Sequence, residues 1–190
     1  VDPDRDPAAL DGVGASLLAR RVVVLGGELD DARATDLAAT LLTLDATGDE
    51  PITLRLSGCR GALHPSLTVL DVLEVLGVEV HGAALGTIEG GPVGVLAACT
   101  VRQVAPHAVL RLREPDVEVA GTATELERLL AANAATRRAF LDALARRTRR
   151  PTADVEAEWD RGAYLDAPDA VTLGYADAIA GASRAAGGDR

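Results

Sequence analysis

Apolar and polar positions follow two rhythms along this chain. Arg21-Val22-Val23-Val24-Leu25 is a β-branched run closed by Gly26-Gly27 and predicts a buried strand. Asp30 or Asp31 then caps a helix in which Ala34, Leu37, Ala38, Leu41 and Leu44 recur at helical spacing until Gly48 and Pro51. Ile52-Thr53-Leu54-Arg55-Leu56 has a period of two, the mark of a strand with one wet face. A turn over Ser57-Gly58-Cys59-Arg60-Gly61 follows, and Pro65 opens a second helix through Leu67, Leu70, Val72, Leu73 and Leu76 that Gly77 ends. Residues 78–85 read as a third strand, Gly86 to Gly91 as a glycine-rich turn, and Pro92 to Cys99 as a third helix. Two short extended pieces, 102–104 and 109–112, lie either side of Pro106. Repeated β-α alternation predicts an α/β fold with a mostly parallel sheet.

Beyond this the rhythm is helical. Residues 122–147 predict one long helix with apolar positions Leu126, Leu129, Leu130, Phe140, Leu141 and Leu144. At about 1.5 Å per residue it spans roughly 39 Å, more than a small core covers, so part of it is expected to project. Arg146, Arg147, Arg149 and Arg150 suit its negative end. Thr152 starts a short helix to Trp159, and Asp166 caps another through Pro168 to Leu173. Residues 1–16 hold four Asp, two Pro and two Gly without periodicity and predict a largely disordered arm. Residues 17–182 form the expected single domain, and 183–190 a polar tail.

Composition narrows the function. A formal charge of −10, from 29 acids against 19 bases, disfavours nucleic acid and anionic membranes as partners. Every base is arginine, and the absence of methionine means Val1 is not expected to be the encoded start. Cys59 and Cys99 lack metal or disulfide spacing, and no apolar run reaches the roughly 20 residues of a membrane span, so cytoplasm is the expected compartment. The chain has no GxGxxG after a strand, no GxxxxGK[ST] and no HExxH, so no cofactor and no metal is expected. Cys59 and His64 share a loop, which is weak support for a thiol nucleophile and its base. The turn ending Glu89-Gly90-Gly91 before a helix is built like a nucleophile turn, yet it carries no nucleophile.

The order of motifs resembles the proteolytic subunits of the Clp protease, the ClpP family. The anchors are Arg21-Val22-Val23-Val24-Leu25-Gly26-Gly27-Glu28-Leu29-Asp30-Asp31, Gly121-Thr122-Ala123-Thr124-Glu125 and Leu165-Asp166-Ala167-Pro168-Asp169-Ala170-Val171. The resemblance implies a crotonase-like spiral of β-α-β units whose long helix, here about 122–147, projects as a handle between heptameric rings. It sets Gly86-Thr87-Ile88-Glu89-Gly90-Gly91-Pro92 on the family's Gly-Gln-Ala-Ala-Ser-Met-Gly pattern, which puts Gly90 at the catalytic serine. Arg113, before Glu114-Pro115, falls at the histidine, and Gly162, before Tyr164-Leu165-Asp166-Ala167-Pro168, at the third member. Gly58-Cys59-Arg60-Gly61 stands on the oxyanion loop, so Gly61 and Gly91 are the oxyanion-hole-like positions.

With all three triad positions replaced, the resemblance implies an inactive pseudopeptidase, not an enzyme, that keeps fold and assembly as a structural, regulatory or peptide-binding oligomer. Asp160-Arg161, with Glu125 as partner, match an oligomerisation pair. An active ClpP paralogue in mixed rings is the alternative partner. Docking of an AAA+ unfoldase is expected to be weak or absent, because the matching surface positions are Thr53, Arg55 and Gln103. A further alternative is a crotonase-like acyl-CoA enzyme using Glu89, Glu114, Gly61 and Gly91. Arg113 is expected to reach a carboxylate, with Glu89, Glu114 and Asp160 the candidates by sequence.

Overall fold

A computed structural model describes residues 14–114 and 121–181. The arm expected over 1–16, the tail expected over 183–190 and the segment 115–120 thus fall wholly or mostly outside the described residues. The elements run β1 (Val22–Leu29), α1 (Asp31–Ala46), β2 (Ile52–Gly61), α2 (Leu63–Val75), β3 (Val80–Leu85), β4 (Thr87–Gly90), α3 (Gly91–Ala98), β5 (Val101–Val104) and β6 (Val109–Arg111). They continue as α4 (Ala123–Thr148), α5 (Thr152–Asp160), β7 (Tyr164–Leu165), α6 (Ala167–Thr172) and β8 (Ala178–Ile179). This is the mixed α/β architecture that the alternation predicts.

β2 organises the sheet. β1 runs parallel along one edge of it, from Val22 opposite Thr53 to Leu29 opposite Gly61. The other edge is shared: β3 pairs with Ile52 to Ser57, and β4 with Arg60 and Gly61. The sheet therefore forks into two arms, β3-β5-β8 and β4-β6-β7, parallel throughout except for the β6–β7 pair.

Three glycine-rich stretches read as turns or strand ends are strand, β4 (Thr87–Gly90) occupying the one over Gly86 to Gly91. β1 continues through Gly26-Gly27, and β2 continues through Ser57-Gly58-Cys59-Arg60-Gly61, because a bulge absorbs the irregular backbone. Gly27 (φ 74°) and Gly58 (φ 56°) adopt the left-handed conformations that make this possible, and pairing resumes beyond them. Strands β7 and β8 have two residues each and no sequence signature of their own.

Helix starts follow their caps. The Asp30 carboxylate accepts from Arg33 N, and the Asp166 carboxylate from Asp169 N. Thr122 and Glu125 form a capping box at the start of α4. That helix has 26 residues, but its first buried position is Phe140; Leu129 (40% exposed) and Leu130 (64%) stand in solvent. Its first half projects and its second half closes the core. Phe140 lies edge-on to Trp159 at 5.1 Å and against Gly94 of α3, where any Cβ would overlap the ring. All eight residues of α3 are buried, so this short helix runs through the centre of the molecule.

Candidate functional site

The cleft is built where β4 becomes α3. Ile88 is fully buried and anchors β4, and Gly90 follows at φ 70°, ψ −136°, a conformation open essentially to glycine. A Cβ there would lie 2.5 Å from the Gly61 carbonyl oxygen and 3.0 Å from that of Arg113. Glycine at 90 thus lets three backbones meet, and the position offers no hydroxyl or thiol. Gly61 sits opposite Gly90 in the β2–β4 register, and its own Cβ would fall 2.7 Å from the Leu29 oxygen. At Gly91, the first residue of α3, a Cβ would overlap Ser66 Oγ and the Ala62 oxygen. The Ser66 hydroxyl is fully buried and donates to the Ala62 carbonyl at 2.9 Å, so it is no substitute nucleophile.

Charge around the corner is internally matched. Arg111 Nη1 donates to Glu89 Oε2 at 3.1 Å, and Arg113 Nε lies 3.7 Å from the other Glu89 oxygen. Arg113 Nε also donates to the Glu114 backbone carbonyl at 3.2 Å, while the Arg111 guanidinium stacks 5.0 Å from the centre of the Tyr164 ring. Of the expected partners of Arg113, Glu89 supplies a side chain and Glu114 a carbonyl. Asp160 goes elsewhere: with Glu114 and Glu156 it converges on Arg137, at 2.6, 2.8 and 2.7 Å respectively. Burial alone would lower the Arg137 pKa, but these carboxylates outweigh it and hold the guanidinium more firmly charged. Sequence reasoning missed Arg137, because its partners come from two other segments, Glu114 after β6 and Glu156 and Asp160 on α5. Glu89 and Glu114, the acid-base candidates for acyl-CoA chemistry, are both held in ion pairs.

Arg113 and Gly162 line one recess of about 570 Å³, together with Arg137, Asp160 and Arg161. Gly162 has φ 61° and would present a Cβ to open space. The fold therefore brings together the three positions singled out above, Gly90 touching Arg113 through backbone and Arg113 facing Gly162 across the recess. It does not bring together Asp160-Arg161 and Glu125 within one chain. Glu125 is tied to Thr122 at the far end of α4, twelve positions and about 18 Å from Arg137. The Thr122 amide and hydroxyl hold its carboxyl below the ordinary range.

Cys59 and His64 separate as well. Cys59 is 2% exposed and burial pushes its thiol up to about 12, while His64 lies exposed on α2. Cys99 is likewise buried, pushed up to about 12, and donates to the Val95 carbonyl. Thr53, Arg55, His81 and Gln103 surround a separate small pocket of about 130 Å³. Among the described residues no cluster of three metal-ligating side chains is present, and no helix is long and apolar enough to cross a membrane.

Comparison with known proteins gives this arrangement its context. The family model described as Clp protease matches residues 7–183. The chain is 26% identical over 181 residues to the ATP-dependent Clp protease proteolytic subunit 2 of Rhodococcus jostii, covering 94% of this chain and 93% of that one. It is 26% identical over 166 residues to proteolytic subunit 2 of Thermobifida fusca (86% and 82% covered). With proteolytic subunit 3 of Nocardia farcinica it shares 29% identity over 168 residues (86% and 76% covered). These relatives are named as proteolytic subunits of a protease, which overturns the expectation that the chain is not an enzyme. A match spanning nearly the whole chain, on the α/β fold that carries this cleft, shows that the protein belongs to the Clp protease family.

Proposed function

We propose that the chain is a ring-forming subunit of an ATP-dependent Clp-type proteolytic complex, assembled in mixed rings with a paralogue that carries a complete serine-histidine-aspartate set. Position 90 supports this reading. The serine hydroxyl that adds to a peptide carbonyl, passing its proton to a histidine, has no counterpart at Gly90, and an arginine cannot accept that proton. Membership of the family and the projecting first half of α4 supply what a ring subunit needs. The pocket around Thr53, Arg55 and Gln103 is a poor seat for an apolar loop, since burying one there would desolvate a guanidinium, so an unfoldase docks on the paralogue's subunits.

The test is co-expression of the tagged chain with a paralogue from the same cell, followed by native mass measurement and hydrolysis of a fluorogenic peptide. Mixed rings should form and hydrolyse the peptide, and replacing the paralogue's serine with alanine should lower that hydrolysis. A chain that never enters a complex with the paralogue would overturn the proposal. So would hydrolysis by the mixed ring that is unchanged by loss of that serine.

A further inference from the structure

The geometry points to a binding site for a phosphoryl dianion in the depression between the end of α4 and the start of α5, remote in sequence from Gly90. This open depression, of about 670 Å³, is lined by Asp142, Arg146, Arg149, Arg150 and Thr152 among others. Two of the four arginines clustered here are already spent. Arg147 reaches Glu74 at 2.9 Å, and Arg150 makes a two-pronged pair with the buried Glu158 at 2.6 and 2.9 Å. Arg146 and Arg149 are exposed and make no ion pair or side-chain hydrogen bond with any described residue. The one lining carboxylate, Asp142, is matched by Arg138 at 3.0 Å and by the Thr152 hydroxyl at 3.1 Å. Of the other nearby acids, Asp154 lies in the first turn of α5 and Asp177 is held by Arg102. Arg146 and Arg149 help to hold the Asp142 and Asp177 carboxyls below their ordinary range, but both guanidinium groups keep their hydrogen-bond donors uncommitted to any described side chain and face one depression in a chain whose formal charge is −10.

Arg149 carries a second indication. It caps α4 in the left-handed conformation, φ 57°, where glycine is the ordinary residue. An arginine there holds a strained backbone and projects its side chain at the rim of the depression. Two guanidinium groups approaching from separate positions suit a tetrahedral dianion better than a single carboxylate, which one fork would satisfy. The phosphoryl group could be free phosphate or one esterified to a peptide side chain.

Equilibrium dialysis of the full chain against radiolabelled orthophosphate, at ionic strength fixed with sodium chloride, tests the site. One saturable site per chain is expected, weakened about tenfold by Arg146→Gln and by Arg149→Gly, as loss of a charge-assisted hydrogen bond implies. Arg149→Gly should at the same time raise the melting temperature measured without phosphate. Arg128→Gln, which removes the same charge from the exposed start of α4, should leave binding unchanged. Competition by a phosphoserine tripeptide, but not by its serine counterpart, would identify a peptide-borne source; competition by orthophosphate alone would identify the free ion. Absence of saturable binding, or equal weakening by Arg128→Gln, would overturn the inference.

Discussion

Replacing Gly90 with alanine should unfold this domain far more readily than the same change at Gly162. Both residues have positive φ, 70° and 61°, and backbone strain of this kind costs about 1–3 kcal/mol, Gly90 with ψ −136° lying where essentially only glycine goes. Only at Gly90 is there also a collision. Its new Cβ would sit 2.5 Å from the Gly61 oxygen and 3.0 Å from the Arg113 oxygen, whereas at Gly162 nothing lies within 4 Å. Both obstacles at Gly90 are backbone, fixed by the β2–β4 register and by the chain leaving β6, so relief requires strands to move. Overpacking of that kind costs roughly 1–3 kcal/mol, putting Gly90→Ala about 2 kcal/mol below Gly162→Ala. For a domain of this size, that is a melting temperature lower by about 4–8 °C. Thermal unfolding of both variants at one protein concentration measures it, since self-association would otherwise shift the midpoints. Equal midpoints would show that β2 and β4 have slack at this corner and that crowding does not exclude a side chain from position 90.

Three other outcomes follow from the packing and the charges. Cys59 and Cys99, each buried with its thiol pushed up to about 12, should not react with a thiol reagent at pH 8 until the chain is denatured; native reaction within minutes would contradict the burial. Burial by itself would raise Asp177, but hydrogen bonds from the Arg102 side chain and amide outweigh it and hold the carboxyl below its ordinary value of about 3.9. Its folded pKa being depressed, the stabilisation is present above about pH 4 and is lost as pH falls through the folded value. Asp177→Asn should therefore lower stability at pH 7 by about 1 kcal/mol or less, given its partial exposure, with the difference vanishing in acid. A constant difference across that range would refute the ion-pair origin. Gly94→Ala should destabilise the chain despite alanine's better helix propensity, because the new methyl overlaps the Phe140 ring, and Phe140→Leu should recover part of the loss in a double variant.

Helices were the legible part of this sequence, because their signals are local: Asp30, Asp166 and the Thr122-Glu125 box each fix a helix start within one turn. Strand lengths were not. Glycines at 26–27, 58 and 61 read as punctuation, but here they bend strands that pair on both sides of the irregularity. Leu129 and Leu130 keep helical spacing and still face solvent, since periodicity reports a stripe and not what covers it. At the cleft, motif register named Gly90, Arg113 and Gly162, whose proximity arises only from strand pairing and the return of α5. The Arg137 centre was invisible, because its three carboxylates lie 19 and 23 residues away along the chain.

The forked sheet also sets an order of events for a chain folding from its N-terminus. β1, β2 and β3 follow one another with single helical connections, so their pairing closes short loops and is available early. The arms end differently. β6 must find β7 at Leu110 and Leu165, and β5 must find β8 across the interval bridged by Arg102 and Asp177, 75 residues apart. Loop-closure entropy delays such contacts. The trunk of the fork is thus expected to be in place before the pieces that wall the recess arrive, leaving the cleft as the last part of the molecule to become native. Pulse-labelled hydrogen exchange during refolding would show this as early protection in β2 and late protection at Leu112, whose amide bonds to Ala163; simultaneous protection at both would refute it.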